Sequence, residues 1–134
     1  MLKVSIRAHT IALLFILSVL TGCAGTTQPP GLSYTLQGTG PEKVIVLHDW
    51  RGDHRNYDDV RPYLDGKAFT FAFVDLRGYC ASIHISGAFN EKEAAADTLR
   101  VADTLGWQQF HIIGHSMTGM VWQRIAAHTP SPVS

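Results

Sequence analysis

Hydrophobic and polar positions along the chain fall into two periods. Lys43-Val44-Ile45-Val46-Leu47 is a nearly continuous apolar, β-branched run, the mark of a strand buried on both faces. Phe69 to Val74 and Phe110 to Ile113 read the same way, as second and third buried strands. Leu32 to Leu36 alternates apolar with polar and predicts a short edge strand. Helical spacing appears between these runs. Ala94, Ala95, Leu99, Ala102 and Leu105 recur every three or four residues. Asn90 with Glu93 three positions on resembles a capping box, and Gly106 is placed to stop the helix. Met117 to Ala127 predicts a further helix, ending near Pro130. Asn56 to Leu64 also reads as helical, with Val60 and Leu64 four apart. Pro62 is its weakness, because proline removes one helix hydrogen bond.

Strands alternating with helices predict right-handed crossovers and an α/β fold, a mostly parallel sheet flanked by helices. Ligands of such sheets bind at the carboxyl ends of the strands. Three loops stand there, beginning at His48, Asp75 and Gly114, and the polar and glycine-rich residues gather in them. No internal repeat is visible.

The first residues follow a different pattern. Lys3 and Arg7 form a basic start, and Ile11 to Leu20 is almost wholly apolar. That suits an export signal and is too short to span a bilayer. Leu20-Thr21-Gly22-Cys23 follows and resembles a bacterial lipobox, in which the cysteine thiol carries the acyl anchor. The expectation is a signal peptide over 1–22, a tether over 23–31 rich in Thr, Gln, Pro and Gly, and the folded part over 32–134. An ordinary secretory signal with an incidental Cys23 is the alternative, and lipidation is the favoured reading. Ala24, not Asp, follows the cysteine; by resemblance to Gram-negative lipoproteins this implies sorting to the outer membrane.

Composition narrows the classes. The chain has 134 residues, 46% apolar and 16% charged, enough for one domain with a core. Basic and acidic residues balance at 11 each, with no basic stripe, so nothing suggests a nucleic-acid partner. Only 2 cysteines occur, Cys23 and Cys80; with Cys23 acylated, no intrachain disulfide framework is available. The 7 histidines show no His-x-x-x-His or Cys/His spacing that argues for a metal, and no cofactor is expected.

Candidate chemistry centres on Gly114-His115-Ser116-Met117-Thr118-Gly119. It follows a strand and opens a helix, the context required of a G-x-S-x-G nucleophile elbow. Such a turn holds the serine in a strained conformation with Oγ exposed above the sheet, facing the helix N-terminus. Two further loops complete a pattern. Val46-Leu47-His48-Asp49-Trp50 resembles a His-Gly loop, and Asp75-Leu76-Arg77-Gly78-Tyr79-Cys80-Ala81-Ser82 resembles a D-x-R-G-x-G-x-S loop. Three motifs in this order resemble the N-terminal part of the α/β-hydrolase family, nearest its esterase-like and haloperoxidase-like members. The resemblance implies that Ser116 is the nucleophile. It implies that the backbone N–H groups of Trp50 and Met117 form the oxyanion hole, where losing one donor typically costs about 3–4 kcal/mol. It also implies that the strand ending at His48 lies beside the strand ending at Gly114. Dehalogenase and epoxide-hydrolase members carry Asp where Ser116 stands, so the implied substrate is a small-molecule ester or related acyl compound.

Several positions depart from the family pattern. Asp49 stands where Gly is usual, and its charge opposes an oxyanion unless it points away. Thr118 stands at the third elbow Gly, with Gly119 placed to relieve the crowding. Cys80 replaces a loop Gly; it is either a small buried filler or an exposed reactive thiol, and the filler is favoured. Trp50 reads as a loop aromatic packing over the sheet. His48 is expected to make structural hydrogen bonds in its loop, and His115 to turn away from Ser116. His111 falls in a strand; His54, His84 and His128 read as solvated loop or helix-end groups.

A serine needs a histidine base oriented by a carboxylate, and the family order is Ser, then Asp or Glu, then His. After Ser116 the sequence contains His128 and no Asp or Glu. The expectation is therefore a truncated chain that lacks its triad acid and base and is inactive as it stands. Its last strand would have an unpaired apolar edge that a second chain could complete. The alternatives are a non-catalytic, lipid-anchored binding module that keeps the half-fold, and a cofactor-free haloperoxidase or perhydrolase.

Overall fold

The computed structural model describes residues 31–128. The segment read as an export signal, Cys23, most of the expected tether and the expected helix end near Pro130 lie outside the described residues. Four strands form one sheet: β1 (Tyr34–Gln37), β2 (Glu42–Leu47), β3 (Phe69–Val74) and β4 (His111–Gly114). Two helices cover it, α1 (Glu91–Leu105) and α2 (Met117–His128). The spatial order is β1-β3-β2-β4, with β2 parallel to both β3 and β4 and β1 antiparallel to β3. The register sets Leu47 opposite both Val74 and Gly114, so the strands that carry the three loops end level with one another.

The apolar run of β2 divides by parity, as a pleated strand requires. Ile45 and Leu47 enter the core beneath the helices with Val74, Val101, Phe110, Val121 and Ile125. Val44 and Val46 enter the opposite core with Phe71 and Phe73, closed by Tyr57, Leu64 and Phe69. The Arg61 guanidinium caps this second core, 3.9 Å from the Phe73 ring centre, where its cation meets the negative ring face. β1 is a short antiparallel edge strand, as its alternation predicts.

The expected helix over Asn56 to Leu64 is not formed. Two 3₁₀ turns stand there, His54–Tyr57 and Arg61–Tyr63, with Pro62 in the second. Pro62 lacks an N–H donor, and Asp53 instead caps a tight first turn through Arg55 N–H at 2.8 Å. α1 is bounded as expected. Asn90 accepts the Glu93 N–H at 2.9 Å, and Gly106 ends the helix at φ +69. The reciprocal half of the box is displaced by one residue: Glu93 accepts from Phe89 N–H at 2.9 Å. β4 differs from the expected buried strand. Phe110 before it is buried, yet Ile113 is 46% exposed, because β2 is its one partner among the described residues.

Candidate active site

The elbow is built by close approach of strand and helix. A Cβ on Gly114 would stand 2.8 Å from the Thr118 carbonyl oxygen and 3.0 Å from its Oγ1, so only glycine fits without a shift. Ser116 follows at φ +55, in the left-handed region, and α2 begins at the next residue. This places an L-residue in a conformation costing about 1–3 kcal/mol, and leaves the side chain exposed. No hydrogen bond among the described residues joins the Ser116 hydroxyl to a histidine.

Thr118, the stiff departure from the pattern, is fully buried and employed. Its Oγ1 accepts the His115 N–H at 3.0 Å and donates to the His115 carbonyl at 3.0 Å, with the Leu47 carbonyl 3.5 Å away. The hydroxyl thus satisfies turn groups that a glycine would leave to water. Gly119 does not relieve crowding here. A Cβ there would touch only Trp122, at 3.8 Å.

The loop after β2 is fixed from below by His48, which has 0% exposure. Its Nε2 accepts the Leu76 N–H at 3.0 Å, and its Nδ1 lies 2.8 Å from the Asp49 carbonyl. Accepting at Nε2 puts the proton on Nδ1, so each ring nitrogen has one role. Tyr57 donates its hydroxyl to the Leu47 carbonyl at 2.8 Å. Burial, and secondarily the charge of Asp49, pushes this phenol's pKa up, which keeps it a donor. His48 therefore behaves as the sequence predicts, tying the first loop to the second.

Asp49 is drawn aside by partners. Its Oδ2 is 3.4 Å from His115 Nδ1, and its Oδ1 accepts from Asn56 at 3.2 Å. The departure at Asp49 thus meets the elbow's His115, 66 positions further on, each giving the other a counterpart. Trp50 is 69% exposed and does not pack over the sheet; Arg51 at φ +60 turns the chain just after it. A cavity of about 550 Å³ opens beside the elbow, lined by Trp50, Leu76, Tyr79, Phe89, Met117 and Val121 among others. Trp50 and Met117 thus border one space.

The loop after β3 is anchored by a buried ion pair that the sequence did not announce. Arg77 forks Asp97 with bonds of 2.8 and 2.9 Å and reaches Glu93 at 3.0 Å. Asp97 is 2% exposed, so this arginine supplies the charge its burial requires. His54 is not a solvated loop group: its Nδ1 lies 2.8 Å from Oδ1 of the buried Asp75. Cys80 is not a buried filler. It stands exposed at φ +38, because the left-handed turns at Gly78 and Cys80 swing the loop outward. Loop pairings of this kind leave no periodic trace in the sequence.

This sheet, with a strained serine at a strand-to-helix turn, defines an α/β-hydrolase half-fold. The chain belongs to that family: the family sequence profile described as alpha/beta hydrolase fold matches residues 43–134. A serine hydrolase-like protein of Dictyostelium discoideum is 28% identical over 106 residues, which are 75% of this chain and 30% of that protein. A fluoroacetate dehalogenase of a Burkholderia species is 31% identical over 101 residues, 72% of this chain and 33% of its own length. The crystal structure of a hydrolase from Pseudomonas aeruginosa superposes with a TM-score of 0.69 at 27% identity, covering 77% of this chain and 39% of that one. The chain therefore spans about a third of the length of the curated relatives it matches.

Proposed function

We propose that the protein is a serine hydrolase acting on an ester or related acyl substrate, with Ser116 as nucleophile. The observation that carries this reading is the left-handed conformation of Ser116 between β4 and α2. A serine is held there at a cost to the fold, and the arrangement aims its hydroxyl out of the sheet. In the reaction, Oγ attacks the acyl carbonyl carbon and its proton passes to a histidine base. The tetrahedral oxyanion is held by the N–H groups of Trp50 and Met117. Collapse expels the alcohol, which takes that proton, and water then hydrolyses the acyl-enzyme. The family resemblance puts the base and its carboxylate later in the fold than Ser116. The cavity beside Trp50 and Met117, walled by Leu76, Phe89 and Val121, suits an apolar acyl group.

A fluoroacetate dehalogenase is among the relatives. The residue at the elbow here is Ser, which favours acyl transfer over halide displacement. The lipobox at Leu20 to Cys23 supports export and attachment to the bacterial envelope through lipid on Cys23. Among the described residues no helix is long and apolar enough to cross a membrane.

A fluorophosphonate probe tests the nucleophile. A protein that carries the later carboxylate and histidine together with this half of the fold is expected to be labelled at Ser116, and Ser116→Ala to lose labelling and at least about 10³-fold of esterase activity. A folded protein that resists the probe would instead be a binding module built on the half-fold.

A further inference from the structure

Asp53, His54, Asp75 and Cys80 each present a donor atom, and these atoms all lie within 4.8 Å of one another. They come from two loops, the one after β2 and the one after β3. The set is chemically mixed: two carboxylates, an imidazole and a thiol. Asp75 is 2% exposed, and its carboxylate faces the group from below. It accepts the His54 backbone N–H at 2.9 Å and lies 3.4 Å from the Ala81 N–H. His54 is 21% exposed and Cys80 is open to solvent, so an ion has a path inward.

We propose that these four side chains form a structural site for zinc or a similar borderline divalent cation. Zinc takes carboxylate oxygen, imidazole nitrogen and thiolate sulfur together, at about 2.0–2.3 Å in a tetrahedron. That geometry places donors about 3.3–3.8 Å apart, so the cluster closes on the ion with side-chain shifts of about an ångström. The imidazole and thiol argue against magnesium or calcium, which prefer all-oxygen shells. Four protein donors fill the shell and leave no open position for a reacting water, so the role is structural. The ion displaces the thiol proton to solvent, leaving thiolate and two carboxylates against one divalent charge. Arg55 opposes the cation: its guanidinium engages both Asp53 oxygens, with Nε at 3.0 and 3.2 Å and Nη2 at 2.6 Å, so the ion takes one of them only as this exposed side chain swings aside. The ion would fasten the loop bearing Trp50 to the loop bearing Arg77.

Cobalt titration of the full chain carrying Cys23→Ser, which leaves Cys80 as the one thiol, tests this. The expected result is one equivalent bound, with intense visible bands of a four-coordinate ion and a near-ultraviolet thiolate charge-transfer band that zinc abolishes. Cys80→Gly suits the φ +38 turn and should fold; it should lose the thiolate band and bind zinc at least 10-fold more weakly. His54→Gln should weaken zinc equally while keeping its thiol. Zinc should raise the urea midpoint of the parent and not of Cys80→Gly. Absence of the charge-transfer band in the parent, or zinc affinity unchanged in both variants, would overturn the site.

Discussion

Ile45 and Ile113 are the same residue on neighbouring parallel strands, one register step apart and so on opposite faces of the sheet, Ile113 lying opposite Val46. Ile45 has 0% exposure and Ile113 has 46%. The first strand is flanked by β3 and β4, with helices over one face and the 3₁₀ segment over the other. The second has β2 on one side only among the described residues. The apolar run is nearly equal in both. It records what each strand requires for burial, and the burial itself depends on the neighbours present.

The sharpest way to break this comparison is to truncate both isoleucines. Ile45→Ala should cost about 2–5 kcal/mol, because it opens a cavity in a closed core. Ile113→Ala should cost less than about 1 kcal/mol. Urea unfolding of the two variants checks the difference, and equal losses would mean that β4 is covered in solution. Gly114→Ala examines the one tight point of the exposed region. With its new Cβ 2.8 Å from the Thr118 carbonyl oxygen, about 1–3 kcal/mol should be lost, visible as a lowered thermal midpoint.

The smallest effect is electrostatic and belongs to the loop after β2. The Arg55 guanidinium, foremost by hydrogen bonding, holds the Asp53 carboxyl well below the usual carboxylate range. A depressed folded pKa stabilises the fold above the unfolded value, near about 3.9, and that stability fades as pH falls toward the folded one. Asp53→Asn preserves the turn cap and removes the charge. Since Arg55 is mostly exposed, the loss at pH 7 should stay under about 1 kcal/mol. Urea midpoints of parent and variant should converge as pH drops below about 4.

Elements governed by local pattern were legible in the sequence. The runs of β2 and β3 and the α1 cap and stop need only residues within a few positions. The elbow was legible too, since Gly114 and Ser116 sit at a strand-to-helix boundary that periodicity locates. Asn56 to Leu64 misled because helical spacing there is real, while Pro62 and the Asp53 cap divert the backbone to tighter turns. The pairings Asp49–His115, His54–Asp75 and Arg77–Asp97 were not legible. Each joins residues 20 or more positions apart, and nothing local marks one loop side chain as another's counterpart. Cys80 shows the same limit: a cysteine at a glycine position suggests a filler until the turn that exposes it is known.

The backbone at Ser116 places two demands on one residue. A chain shaped for stability alone would favour glycine at this position, where φ +55 costs nothing. Ser116→Gly should therefore melt higher, by about 1 kcal/mol of added stability, while losing the hydroxyl. Position 116 would then be a small, measurable debt of the fold to its chemistry, and the rise in melting temperature of a dead variant is how to read it.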